Sequence, residues 1–266
     1  MTTIAFLHAH PDDESSQTAG TMAMAVDAGY RVIVIFATDG DFGTAASDLA
    51  EGESVADRRQ REATASAAAL GLHGVHWLGY ADSGMTGWPQ NDDPACLARA
   101  PLEEAARRVA DVLDAEGADV LVGYDWHGNY GHPDHVAVHR IAYRAAELAA
   151  RTPLVLEETM NRDALRRRYQ AALAAGETEA WDPDAPADDG NPVGSPESEL
   201  NWAVDLDEAY LARKRAAMTA HASQTSDVGM MLQLPPEVFA AQFGVEYYRQ
   251  EGNTDPLRHA WPFPPA

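Results

Sequence analysis

The chain has 266 residues, 45% of them hydrophobic, and its 42 acidic and 19 basic side chains give a net charge of −23. A chain of this length buries roughly three quarters of its unfolded surface, while so acidic a surface repels phosphates and excludes a nucleic-acid partner. No run of eighteen apolar residues is present, which excludes a membrane-spanning helix, and the single cysteine, Cys96, excludes an internal disulfide and a cysteine-based zinc site.

The amino terminus enters a strand pattern directly, with no signal-peptide core, so a reducing cytoplasm is the expected location. In chain order the pattern predicts a strand over 3–9, a helix over 14–28 and a buried strand over 31–38, "RVIVIFAT". A helix over 55–70, a short strand over 75–78, a helix over 102–116, a strand over 119–123 and a helix over 133–150 follow. Leu102, Ala105, Ala106, Val109, Val112 and Leu113 make one apolar face of the helix over 102–116. Continuous apolar strands alternating with amphipathic helices predict an α/β, Rossmann-like, mostly parallel sheet with helices on both faces.

Residues 1–150 therefore read as a Rossmann-like core. Residues 151–266 read as a smaller, irregular extension that completes the substrate pocket. The extension carries a helix over 161–175, a helix over 207–222, a short helix from Pro235-Pro236 and a strand "VEYYR" over 245–249. Between its first two helices, residues 176–208 hold Glu177, Glu179, Asp182, Asp184, Asp188 and Asp189 among prolines and glycines, and read as an exposed acidic loop.

Ligands of such sheets sit beyond the carboxyl ends of the strands, and the most polar stretches here follow strands: "HAHPDDE", "TDGDFG" and "YDWHGNYGHPDH". His10 and Asp13 lie three apart behind the first strand, and His132 and His135 repeat that spacing far along the chain, each pair opening on His-Pro. Two imidazoles and one carboxylate make a catalytic zinc set with a fourth position left for water, and His10, Asp13 and His135 supply it if their two strands are neighbours. Asp12 is then the candidate general base, and His132 is left to stabilise an oxyanion or to protonate a leaving amine. Asp39-Gly40-Asp41 reads as a turn near the rim, His8 as a core histidine, His221 as a helix-surface residue and Trp126 with His127 as one wall of a sugar site. The sequence has no G-x-G-x-x-G, P-loop or G-x-S-x-G motif, so dinucleotide, ATP and serine-hydrolase chemistry have no support.

"AHPDDE" at 9–14 together with "HPDH" at 132–135 resembles the LmbE-like/PIG-L zinc-dependent de-N-acetylases. The resemblance extends to Arg59 and Glu62, to "LGYADSGM" at 78–85 and to "KRAAMTAHASQ" at 214–224. It implies one zinc ion (ferrous iron being the alternative) on His10, Asp13 and His135, with Asp12 as base and His132 as electrostatic catalyst. It further implies that Asp134 orients His132, that Tyr130 polarises the carbonyl, and that Arg59 and Asp82 contact the sugar; as a neighbouring carboxylate, Asp134 is also expected to hold His132 charged.

The implied substrate is a small N-acyl glucosamine derivative, with no nucleic acid or membrane as partner and a homo-oligomer left open. Within the family the motifs look closest to actinobacterial mycothiol-type enzymes, either a GlcNAc-type deacetylase or a mycothiol S-conjugate-type amidase, although Gln17 stands where an amidase would carry lysine. A reading of another class is a non-catalytic, metal-containing sugar-binding protein on the same scaffold.

Overall fold

The computed structural model describes residues 1–44, 47–178 and 180–266, so Glu179 of the acidic stretch lies outside the described residues. Its first half contains β1 (Thr3–His8), α1 (Ala19–Asp27), β2 (Arg31–Thr38), α2 (Val55–Leu70), β3 (Gly74–Tyr80), α3 (Leu102–Glu116) and β4 (Val120–Tyr124). Then come the short helical turn α4 (Gly128–Gly131), α5 (Pro133–Leu148), β5 (Leu154–Thr159), α6 (Arg162–Ala174) and β6 (Trp202–Asp205). The chain closes with α7 (Glu208–Ala220), α8 (Val228–Leu232), α9 (Pro236–Phe243), β7 (Val245–Arg249) and β8 (Arg258–His259).

The eight strands form one sheet in the order β3-β2-β1-β4-β5-β7-β6-β8. The first five are parallel, and β7 turns antiparallel to both β5 and β6. Successive side chains of a strand point to opposite faces, and β1 divides its apolar residues accordingly. Ala5 and Leu7 pack with Val109, Leu113 and Val138 of α3 and α5, while Ile4 and Phe6 pack with Met22 of α1 and Ala217 of α7. Burial on both faces is why β1 and β2 read as unbroken apolar runs.

From β1 the chain moves outward to β2 and β3, then α3 carries it back across the sheet to β4 on the other side of β1. This reversal makes the β1–β4 boundary the switch point at which α/β sheets bind ligands. The two strands pair from Ile4↔Val120 to Phe6↔Val122, and the chain beyond each end carries one of the two His-Pro segments.

The acidic stretch departs from the expected exposed loop. Val193, Leu200, Ala203 and Val204 are buried, and β6 joins the sheet between β7 and β8. The strand β5 also breaks the expectation that the pattern loosens after residue 150: its "LVLEET" places Glu157 and Glu158 in buried positions, a polarity that disguises a sheet strand. Among the described residues no helix is long and apolar enough to cross a membrane.

Glu246 of β7 locks the far side of the sheet to the helix that follows the first motif. Its carboxylate accepts the Gly20 and Thr21 amides at the start of α1 (2.9 and 2.7 Å) and the Lys214 ammonium of α7 at 2.8 Å. Lys214 is 1% exposed and Glu246 4%, so removing the carboxylate strands a buried cation. Glu246→Ala should lower the unfolding free energy by about 3–5 kcal/mol in urea titrations, and a loss below about 1 kcal/mol would show that the pair is dispensable.

Candidate metal centre and active site

The chain leaves β1 through a turn that only a constrained backbone can make. Asp12 has φ 117°, in the left-handed region that non-glycine residues avoid. Its amide donates to Glu14 Oε2 at 2.9 Å, and its carbonyl accepts from Ser15 N, Ser16 N and Ser15 Oγ at 3.0, 3.1 and 2.7 Å. Glu14 is in turn fixed by the Ser66 hydroxyl of α2 (2.5 Å) and by His221 Nε2 (2.7 Å). His221 is therefore buried in the site's foundation rather than on a helix surface, with Glu14 holding its imidazole above the ordinary value against the opposing effect of burial.

His10, Asp13 and His135 meet at the switch point. Asp13 Oδ2 lies 3.4 Å from His10 Nδ1 and 3.3 Å from His135 Nε2, and those two nitrogens are 3.3 Å apart. Ligands about 2.0–2.1 Å from a tetrahedral zinc stand roughly 3.3–3.4 Å from one another, so this triangle fits a divalent metal.

The outer contacts agree with the fit. His135 Nδ1 lies 3.2 Å from the Gly128 carbonyl, which can only accept, so the proton sits on Nδ1 and Nε2 is free for metal. His10 Nε2 points at Asp134 Oδ2 (3.2 Å) and Asp82 Oδ1 (3.5 Å), which leaves Nδ1 facing the other two donors. Burial opposes a charge on His10, but Asp82, Asp13 and Asp134 outweigh it and hold the imidazole well above its usual range. Burial likewise resists ionisation of Asp13, and His135 and His10 overcome it, holding that carboxyl well below its usual range.

The Asp134 carboxylate is engaged elsewhere than the sequence suggested. It accepts the Ser83 amide at 2.8 Å and the Ser83 hydroxyl, besides facing His10. Only its backbone amide reaches His132, donating to Nδ1 at 3.1 Å, so His132 carries its proton on Nε2. Burial, reinforced by His10 and His135, pushes His132 down to about 2, so the expectation of an imidazole held charged by Asp134 gives way to a neutral donor. Its ring stands 4.6 Å from that of His10, edge to face.

Asp12 projects beside this cluster and pairs with Arg59 at 3.0 Å. Burial pushes Asp12 up to about 6, against the opposing pull of Arg59. Arg59 is itself buried, donates to the Pro11 and Gly40 carbonyls as well (the latter at 2.8 Å) and borders the cleft in which a sugar contact is expected. Asp82 accepts the Gly84 amide at 2.8 Å and donates its own amide to Asp41 Oδ1 at 3.0 Å, which gives the Asp39-Gly40-Asp41 turn its place at the rim.

A cleft of about 600 Å³ opens over the cluster, lined by His10, Asp12, Asp13, Arg59, Asp82, Tyr130 and His132. The later part of the chain supplies Met160, Trp181, Val193, Gln224, Asp227 and Met231 to the same cleft. Trp126 is 50% exposed and His127 is buried against the Gly194 carbonyl, so neither forms the expected sugar wall. His8 is buried, with its nitrogens at Tyr124 Oη and Thr18 Oγ1 (3.3 and 2.9 Å). Tyr124 and Ser83, both in direct contact with the cluster, escaped the sequence reading. Tyr124 ends an apolar strand and looks like core, and Ser83 carries no signal beyond its place in "DSGM".

A family model described as PIG-L: GlcNAc-PI de-N-acetylase matches residues 5–146. A 1D-myo-inositol 2-acetamido-2-deoxy-α-D-glucopyranoside deacetylase of Acidothermus cellulolyticus is 36% identical over 253 residues, covering 91% of this chain and 86% of the relative. Its namesake in Thermomonospora curvata is 35% identical over 280 residues, covering 92% and 89%. Among solved structures, the N,N'-diacetylchitobiose deacetylase of Pyrococcus horikoshii shares the fold with a TM-score of 0.57 at 22% identity, over 94% of this chain and 82% of that one. The chain belongs to the PIG-L family of de-N-acetylases and is accordingly an amide-bond hydrolase.

Gly128 is a position where the site leaves no room for a side chain. It sits at φ +64°, and a Cβ there would collide with the His135 side chain and backbone, the same histidine whose Nδ1 proton its carbonyl receives. Gly128→Ala should weaken Zn²⁺ binding by about 10–100-fold, the usual consequence of disturbing a ligand's outer contact, as read by competition with a chelator. Unchanged affinity would show that His135 is not held through Gly128.

Proposed function

We propose that this protein is a zinc-dependent hydrolase that removes the acetyl group from an N-acetylglucosamine glycoside, with a small neutral cyclitol glycoside of the kind named in its relatives as the favoured substrate. The observation that carries this reading is the His10–Asp13–His135 triangle with the Asp12 carboxylate beside it at the floor of a cleft large enough for a disaccharide-sized ligand. A divalent metal on those three donors would supply a Lewis acid for the amide carbonyl and lower the pKa of water.

The protein's own residues supply the proton handling. Asp12, raised to about 6, suits a group that takes a proton from the attacking water and returns it to the departing nitrogen. Arg59 keeps that carboxyl ionised and aimed. His132 presents Nε2–H to the oxygen that gains negative charge, with Tyr130 on the same cleft as a second donor. Asp82 and Asp134 orient His10, and Asp82 also borders the sugar space. Residues 151–266 act as the part that completes the pocket, through Met160, Trp181, Gln224 and Asp227. A reducing cytoplasm suits the buried free thiol of Cys96.

The direct test is release of free amine from 1D-myo-inositol 2-acetamido-2-deoxy-α-D-glucopyranoside by the zinc-loaded protein. Asp12→Asn should keep stoichiometric zinc and lose about 10²–10⁴-fold in kcat, the usual contribution of a general base. No amine from any N-acetylglucosaminide, or full activity in Asp12→Asn, would overturn the reading.

The acid limb of kcat/KM should follow Asp12, because only its ionised form accepts a proton, and activity should fall as pH drops through that limb. Arg59 favours the ionised form, so Arg59→Met should move the limb to higher pH, by about one unit or more for a charge in contact. A limb that stays in place would assign it to another group.

A further inference from the structure

We propose that Tyr124 is a positioning residue for the metal, and that its hydroxyl, acting with the His10 amide on the same oxygen, fixes how Asp13 would face the ion and tunes how strongly it would bind. This inference rests on the metal site of the proposed function. It concerns a side chain that ends β4, one strand away from the turn that carries Asp13.

The hydroxyl donates to Asp13 Oδ2 at 2.7 Å, the same oxygen that faces both ligand imidazoles. The His10 amide donates to Oδ2 as well, at 2.9 Å, and Gln17 Nε2 holds the other oxygen, Oδ1, at 3.2 Å. With two donors on Oδ2 and one on Oδ1 the carboxylate is held in one orientation, Oδ2 toward the two ligand imidazoles. The hydroxyl accepts in turn from the Ala9 amide at 3.0 Å, which ties the end of β1 to the end of β4. His8 Nδ1 stands 3.3 Å from it, and the far nitrogen of His8 reaches the Thr18 hydroxyl at 2.9 Å.

The ring adds a second restraint. It stacks on His135 with centroids 4.3 Å apart and planes 12° apart. One side chain thus touches ligands from both His-Pro segments, the carboxylate through its hydroxyl and the imidazole through its face. Tyr124 is 1% exposed and absent from the lining of the cleft, so it reaches substrate only through the ligands it holds. Outer contacts of this kind commonly govern metal affinity by about 10–100-fold.

Tyr124→Phe separates the two restraints, because it keeps the stacked ring and deletes the hydroxyl. In the full-length protein titrated with Zn²⁺ alone, it should bind the ion about 10–100-fold more weakly than wild type. With Co²⁺ as the probe its visible d–d bands should change in position and intensity, since the ligand oxygen has lost a donor. A purely structural role at Ala9 would lower the melting temperature of the metal-free protein and leave the Co²⁺ spectrum of the folded protein unchanged. Wild-type affinity together with a superimposable Co²⁺ spectrum would overturn the proposal.

A measurement without that substitution guards against a variant that fails to fold. In Tyr130→Phe, which removes the tyrosine lining the cleft, stoichiometric Zn²⁺ should still perturb the near-ultraviolet absorbance of a tyrosine. Absence of any tyrosine perturbation would count against a hydroxyl bonded to a ligand oxygen.

Discussion

One carboxylate oxygen joins the two halves of this active site. Asp13 Oδ2 stands within hydrogen-bonding or ligand distance of His10, Tyr124 and His135, groups that arrive from the ends of β1 and β4. A buried carboxylate is tolerable only when charge and donors surround it, and here they do so from three segments of chain. The neighbouring strands, the crossover through α3 and the turn over Gly128–Gly131 all serve to bring those donors to that oxygen.

The strain at Asp12 has a related explanation. A left-handed aspartate costs of order 1–3 kcal/mol and persists because its amide and carbonyl are both bonded. Glu14, which takes the amide, depends on Ser66 from α2 and on His221 at the end of α7. The late segment extends this support, since Ser223 donates through amide and hydroxyl to Glu62 of α2 (2.9 and 2.6 Å). The backbone geometry at residue 12 is thus supported by residues near 220, which ties together the two stretches that carry the resemblance.

The same crowding of acids explains the electrostatics of the centre. Asp12, Asp13, Asp82, Asp134 and Glu14 lie close together, with Arg59, His10 and His221 as counter-charges. Each carboxylate behaves according to its neighbours. Asp13 and Asp82, facing imidazoles, are driven below their usual range, whereas Asp12 is governed chiefly by burial and rises. Two adjacent aspartates therefore differ in the direction of their shift, a division suited to one ligand and one base.

Local pattern by itself determined a good deal of this protein. The helices at Val55–Leu70 and Leu102–Glu116 and the strand Val245–Arg249 begin and end where the periodicity and turn residues place them, because amphipathic spacing and caps are local properties. The chemical groups were legible too, since two His-Pro segments behind two apolar strands are a rare concentration of donors. Tertiary structure alone decided which group meets which. Asp134 turns to His10 and Ser83 instead of His132, Arg59 is engaged by Pro11, Gly40 and Asp12, and His221 reaches Glu14 from 207 residues away. The strands β5 and β6 stayed hidden because Glu157 and Glu158 break the apolar run of β5 and because β6 is only four residues long and ends on the exposed Asp205, while partners such as Tyr143 and Arg249 for Glu157 and Asn129 for Glu158 make the two buried glutamates acceptable inside the fold. Hydrogen-bond partners are chosen by proximity in space, and that choice is made by strand order and crossover, which no stretch of sequence carries on its own.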